Sequence, residues 1–410
     1  MMVSSSINTF TTNYCSCKPI PTSPIRRIHV RPSLDNAIEV SNGISYCSSP
    51  IQKKRSLIDH HSLSFTKHHF QILKSLSPGQ YGKTYVVRSK LNQQIYCMKI
   101  QSKRLLKMHS DRVSFDVEQA ILSLQHPCLP RLYCSFEDDT DHYLVMDYFS
   151  GGDLFSLLDR QPTLCLTEKQ AQFYMAEMIL ACQALHQLGY LHRDIKPQNI
   201  LLDHLGHVKL VDFGSSILIS QATKNKQSTP VGTCDYVSPE ILDSFQGDAT
   251  YGTEVDCWSL GICLYEMLQE LPPFYSDVSE NDTYRKILFH QGQVSFNDML
   301  PISDQAKDLI NNLLTKRENR LTLDQIKMHS FFDGIDWDTI YQSKPPFRPR
   351  LHSDDDTSNF FIPQDILQEA KQDDNPDDDD DDYISLSQPI TPPLSPLLKH
   401  TCYIPSSLEQ

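Results

Sequence analysis

Five side chains have types and spacings that could do chemistry on a charged phosphate: Lys99, Glu118, Asp194, Asn199 and Asp212. Lys99 closes the strand-like run Tyr96-Cys-Met-Lys99, and Glu118 lies in a stretch of helical apolar spacing, Ser114–Gln125. An ion pair between them would aim the ammonium at the α- and β-phosphates of ATP. His192-Arg-Asp-Ile-Lys-Pro-Gln-Asn199 sets a base, Asp194, beside a cation, Lys196, with an amide oxygen on Asn199. Asp212-Phe-Gly214 follows a strand-like run, Val208-Lys-Leu-Val211. A phosphoryl group in flight is charge-rich and loosely bonded, so catalysis there is placement plus charge neutralisation. Asp194 would take the acceptor hydroxyl proton and Lys196 would neutralise the γ-phosphoryl. Asn199 and Asp212 offer the hard oxygens that Mg²⁺ prefers.

A glycine pattern upstream has two readings. Ser77-Pro-Gly-Gln-Tyr-Gly-Lys-Thr84 nearly matches the G-x-x-x-x-G-K-[ST] phosphate loop, but Ser77 replaces its first glycine. A strand-like Tyr85-Val-Val follows where that loop needs a helix N-terminus. Gly79 and Gly82 instead suit a hairpin whose backbone amides approach phosphates with no Cβ in the way. A phosphate-loop NTPase would depend on Lys83 and not on Lys99.

The elements that must position these groups fall into two halves. Strands are expected at Phe70–Leu76 and Lys83–Arg88 around a turn at Pro78-Gly79, at Gln94–Ile100 and at Tyr143–Met146. From Asp153 onward helical spacing dominates, over 153–159, 167–188, 254–270, 303–314 and 322–329. Strands followed by helices predict an α+β protein with a small β-rich N-lobe and a larger helical C-lobe.

Composition bounds the rest. The chain has 410 residues and a formal net charge of −14. Residues 1–64 carry seven basic and three acidic residues, and residues 351–410 carry two basic and fourteen acidic. The acidity argues against general nucleic-acid binding. The absence of an apolar run near 18 residues argues against a transmembrane helix. Twelve scattered cysteines with no C-x-x-C pair read as reduced thiols. Residues 1–64 are read as a disordered extension, although 1–34, acid-free and rich in Ser and Thr, also overlap with organelle transit peptides. Eight Asp in 373–382 and the run Pro389–Pro396 read as solvated and extended.

The four ordered motifs, with Ser238-Pro-Glu240 as the last, resemble those of protein kinases. Further runs narrow the resemblance to the AGC group of serine/threonine kinases: Gly151-Gly-Asp-Leu-Phe155, Val231-Gly-Thr-Cys-Asp-Tyr236, Asp256-Cys-Trp-Ser-Leu-Gly261, Lys316-Arg-Glu-Asn-Arg-Leu321 and Lys344-Pro-Pro-Phe-Arg-Pro349. The nearest branch is that of the myotonic dystrophy, Cdc42-binding, Rho-associated and citron kinases. The resemblance spans about 65–362. It implies a catalytic domain over 65–333, with its N-lobe at 65–148 and C-lobe at 149–333. An AGC tail would follow over 334–362, and an acidic, Pro-rich tail over 363–410.

The resemblance also implies ATP and Mg²⁺ as cofactors and Ser/Thr-bearing proteins as substrates. A cytoplasmic location follows from it, with a cytoskeletal association and a Rho-type GTPase pathway as its finer implications. Met146 would be the gatekeeper, Cys97 would lie over adenine, and Asp147 and Phe149 would offer hinge backbone groups. Asp153 would meet the ribose or a substrate arginine. Thr233 would bond Asp194 and Lys196, and Glu266 would favour basic residues near the phosphosite. Glu240 and Arg320 would pair structurally. A phosphate on Ser228 or Thr229 would meet Arg193, but Ile217 stands where a second basic residue often lies, so activation-loop phosphorylation is expected to be largely dispensable. Ser77, Gln198 and Cys234 depart from the usual pattern, and no F-x-x-F-[ST]-[FY] motif follows Phe361. The alternative reading is a catalytically weak scaffold that binds partners through its tails.

Overall fold

The computed structural model describes residues 65–79, 81–222, 231–244 and 250–360, with side chains left undescribed at 77–79. The expected disordered extension at 1–64, Ser228, Thr229 and the acidic tail all lie outside the described residues.

The first half is a five-stranded antiparallel sheet. Its strands are β1 (Phe70–Gly79), β2 (Gly82–Ser89), β3 (Ile95–Ser102), β4 (Leu132–Glu137) and β5 (Asp141–Met146), in the order β1-β2-β3-β5-β4. Between β3 and β4 come two helices, α1 (Lys103–Met108) and α2 (Phe115–Leu122). Side chains alternate across the sheet. Phe70, Val87, Tyr96, Met98, Tyr143 and Val145 bury one face. Leu144 and Met146 join Ile121 and Leu122 of α2 in the larger core that continues into the second half.

The turn departs from the sequence expectation. Pro78 pairs with Lys83 and Gly79 with Gly82, so Pro78 and Gly79 lie in the strand pairing and not in the turn. Pro78 is tolerated because β1 is an edge strand. No side chain fits at Gly82, because a Cβ there would run into the carbonyl oxygen of Ile100.

The second half is helical. It begins with α3 (Leu154–Asp159) and α4 (Glu168–Gln187). Short strands β6 (Tyr190–Leu191), β7 (Ile200–Leu202), β8 (Val208–Leu210) and β9 (Ile217–Leu218) follow, pairing β6 with β9 and β7 with β8. Then come α5 (Ile219–Ala222), α6 (Pro239–Asp243), α7 (Glu254–Gln269), α8 (Glu280–Leu288), α9 (Asp304–Leu313) and α10 (Leu323–Lys327). Helix α7 is buried on every side from Val255 to Gln269, which makes it the axis of this half. Capping fixes the helix starts: Ser114 caps α2, Asp153 caps α3, and Thr167 forms a capping box with Gln170 on α4. The architecture is the expected bilobal α+β fold. β4, β6, β7, β9, α1, α5, α6 and α8 are elements that the sequence pattern did not disclose.

Candidate active site

β3 and α2 bring the first cation and its partners together. Lys99 Nζ donates to Glu118 Oε1 at 2.7 Å and to Asp212 Oδ1 at 2.6 Å. Gln101, on the same strand, donates its Nε2 to Glu118 Oε2 at 3.1 Å. Glu118 is almost wholly buried, whereas the Asp212 side chain is 45% exposed. Burial works against the Lys99 ammonium, but Asp212 and Glu118 outweigh it and hold its pKa above the ordinary lysine value. For Glu118 burial wins and pushes the carboxyl up, with Lys99 opposing it. Desolvation also works upward on Asp212, yet Lys99 outweighs it and holds that carboxyl well below the usual range.

The second cluster joins the loop between β6 and β7 to Thr233, which precedes α6. Asp194 Oδ1 accepts from Thr233 N at 2.9 Å and Thr233 Oγ1 at 2.7 Å. Its Oδ2 accepts from Asn199 Nδ2 at 3.0 Å and meets Lys196 Nζ at 2.9 Å. Lys196 also donates to Thr233 Oγ1 at 2.6 Å, so one hydroxyl links base and cation. Asn199 spends its Nδ2 on the carbonyl and carboxylate of Asp194, which leaves its amide oxygen as the ligand atom. That oxygen and the Asp212 carboxylate form a donor set suited to a hard divalent cation.

Asp256 positions this loop, a role sequence reasoning missed. It lies fully buried in the first turn of α7 and accepts from His192 N and Arg193 N, each at 2.9 Å. His186 Nε2 lies 2.7 Å from the same carboxylate. Burial pushes Asp256 up, but His186 and His192 outweigh it and hold the carboxyl low. Arg193 and Asp212 both adopt left-handed backbone, with φ of 68° and 63°. Two hydrogen bonds from backbone N–H groups to one buried carboxylate can hold such a conformation at Arg193. The available signal was the acid at the start of the run Asp256-Cys-Trp.

The remaining expected residues are distributed as follows. Cys97 pairs with Met146 across β3 and β5, and burial pushes its thiol up to about 12. Asp147 gives its N–H to Arg131 O, while its carboxylate pairs with Arg131. Phe149 follows on the same connection, which also lines a cavity of about 490 Å³ with His126, Arg131, Tyr148 and Lys209. None of the catalytic groups lines that cavity. Asp153 caps α3 through Ser156 N at 2.6 Å, and burial pushes its carboxyl up to about 6. Glu266 is buried under Tyr236, whose hydroxyl donates to it at 2.7 Å, and burial pushes its carboxyl up to about 8. Arg193 directs Nε to Ser215 O and Nη1 to the Tyr251 hydroxyl. Arg320 Nη2 reaches Glu240 Oε2 at 3.2 Å, and its Nη1 reaches the other oxygen.

The C-terminal segment crosses the connection between the halves. Tyr148 donates to Asp356 O at 2.6 Å, Asn359 Nδ2 to Ser150 O at 3.0 Å, and Lys74 of β1 to Asp355 O at 2.9 Å.

Residues 70–332 match the family described as Protein kinase domain. The chain belongs to the protein kinase family. It is similar to serine/threonine-protein kinase MRCK alpha of Rattus norvegicus, 38% identical over 341 residues, covering 79% of this chain and 20% of that protein. MRCK beta of Homo sapiens is 41% identical over 309 residues, covering 74% of this chain and 18% of that protein. MRCK gamma of Mus musculus is 39% identical over 355 residues, covering 82% and 23%. The chain thus spans about a fifth of the length of the curated relatives it matches. These kinases support the AGC-group branch expected from the sequence motifs.

Proposed function

We propose that the chain transfers the γ-phosphoryl group of ATP to Ser and Thr hydroxyls of protein substrates, with Mg²⁺ as the metal. The observation that carries this reading is the meeting of Asp194, Lys196 and Thr233 on one hydroxyl, in a fold that also joins Lys99 to Asp212.

Each chain group has a task. Lys99, held by Glu118, would pair with the α- and β-phosphates. Asp194 would orient the acceptor hydroxyl and take its proton as the new O–P bond forms and the bond to the β-phosphate oxygen breaks, releasing ADP. Lys196 would offset charge on the transferred group. Asn199 and Asp212 would hold Mg²⁺, which supplies neutralisation of phosphate charge when bound. Gly79 and Gly82 would let the hairpin backbone approach the phosphates. Met146 and Cys97 would bound the adenine, and the backbone of Asp147 and Phe149 would bond it.

For the protein substrate, Thr233 supports selection of Ser/Thr acceptors, and Asp153 and Glu266 support basic residues near the phosphosite. The preference is softened by Gln198. Glu266, raised by burial, would ionise as an arriving guanidinium displaces its proton. The contacts of Asp355, Asp356 and Asn359 support the reading of 334–362 as an AGC tail. No helix among the described residues is long and apolar enough to cross a membrane. A cytoplasmic site of action, a cytoskeletal association and a Rho-type GTPase link rest on the resemblance alone.

The test is transfer of ³²P from Mg²⁺-ATP to a basic Ser/Thr peptide by the full chain, with Asp212→Asn as control. Nothing in the geometry favours the scaffold alternative, which predicts no difference between the two proteins.

A further inference from the structure

Glu118 is held from both sides by one strand. Lys99 and Gln101 lie two residues apart on β3, so their side chains leave the same face. Lys99 takes Oε1 of the carboxylate and Gln101 takes Oε2. Gln101 is only 2% exposed, and its own Oε1 has no hydrogen-bond partner among the described residues. A buried, unpaired carbonyl destabilises a fold, and an apolar side chain of similar size would avoid it. Packing therefore does not explain a glutamine at this point. Its amide N–H does, because a buried carboxylate needs a donor on each oxygen.

The surroundings link that donor to the rest of the site. The backbone of Gln101 pairs with Gly82 of the glycine hairpin on one side and with His142 of β5 on the other. Gly214 lies against Glu118 Oε2, where a Cβ would come within 3.5 Å. Ser114, which caps α2, donates its N–H to the Gly214 carbonyl at 3.0 Å. The position of α2 thus depends on Glu118 staying docked between β3 and the Asp212-Phe-Gly turn.

We propose that Gln101 is a positioning residue for nucleotide binding: it anchors Glu118 Oε2, keeps α2 docked and so fixes Lys99 for the phosphates. It acts through Glu118 and touches no substrate. The role rests on the kinase reading only for the identity of the ligand.

The experiment compares Gln101→Leu with the parent, and repeats the pair in a Glu118→Ala background. Affinity for Mg²⁺-AMP-PNP is read by calorimetry on the full chain, and KM for ATP and kcat by phosphotransfer. Gln101→Leu should weaken nucleotide affinity and raise KM about tenfold, move kcat less, and leave the unfolding temperature unchanged or higher. In the Glu118→Ala background the same substitution should change affinity less than twofold. Gln101→Met provides the same comparison should the leucine variant not fold. Parent-like affinity in these variants, or an equal loss in both backgrounds, would overturn the proposal. A parent that binds nucleotide but transfers nothing would instead sink the proposed function, while the affinity comparison would still decide this one.

Discussion

Two buried ion pairs in this molecule use the same chemistry for different ends. Arg320 and Glu240 form a closed pair in the helical half: both side chains are within 9% of full burial, Trp258 lies 5.0 Å beneath the guanidinium, and the carbonyls of Glu254 and Thr315 accept further bonds. Lys99 and Glu118 form an open pair. The lysine is shared with Asp212, which faces the cleft, and only the glutamate is fully enclosed. A closed pair fixes geometry and offers nothing to a ligand. An open pair keeps a desolvated cation aimed outward by a partner behind it. Burial alone therefore does not mark function; the unshared face of the charge does.

The largest expected effect separates the two pairs by activity. Lys99→Met should lower kcat/KM for ATP about a thousandfold, the scale for losing a preorganised charge contact. Its unfolding temperature should fall less than that of Arg320→Met, because Glu118 keeps the hydrogen bond from Gln101 and Asp212 faces the cleft. Arg320→Met should do the reverse. Breaking a buried pair and stranding Glu240 should cost about 3–5 kcal/mol of stability in urea unfolding, with kcat of the folded fraction within about twofold of the parent. An activity collapse in both variants would erase the distinction.

Glu266 sharpens the comparison, since it is a buried acid with a hydroxyl partner and no cation partner among the described residues. Its folded pKa of about 8 lies far above the roughly 4.3 of an unfolded glutamate. The folded state therefore binds the proton more tightly, and stability falls as pH rises from about 4 through 8. Glu266→Gln should remove that loss, stabilising the protein by on the order of a few kcal/mol at pH 8 and very little at pH 5. The same variant should raise KM for an arginine-bearing peptide, and the parent's KM should fall as pH rises through 8.

The smallest effect concerns Arg193, whose guanidinium is already directed to Ser215 and Tyr251. Ser228→Ala with Thr229→Ala should cost less than about tenfold in rate, roughly 1.4 kcal/mol. A larger loss, measured on the same peptide, would assign Arg193 a phosphate after all.

The site was more legible in the sequence than the scaffold around it. Lys99, Glu118, Asp194, Lys196, Asn199 and Asp212 lie in short runs whose residue types are fixed by charge chemistry, Thr233 was expected from the family resemblance, and the structure brings them together. The long elements were legible through their apolar spacing, α4 and α7 above all. Strand β4 was not, because Leu132-Tyr-Cys-Ser-Phe is apolar on both faces and half-buried throughout, so no clean alternation shows. Helix α8 buries only Thr283 and Ile287, too few to set a period. The contacts of Asp256 and Gln101 were hard to read for another reason: each meets a residue distant in sequence, and only the packing of α7 and α2 joins them.

The most direct test of the central claim is the rate of γ-phosphoryl transfer by the full chain and by Asp212→Asn, at saturating ATP with Mg²⁺ in excess over the nucleotide. Measurable transfer to Ser or Thr that drops at least about a hundredfold in the variant is the predicted result. Equal rates in the two proteins, or no transfer by the parent, would contradict it.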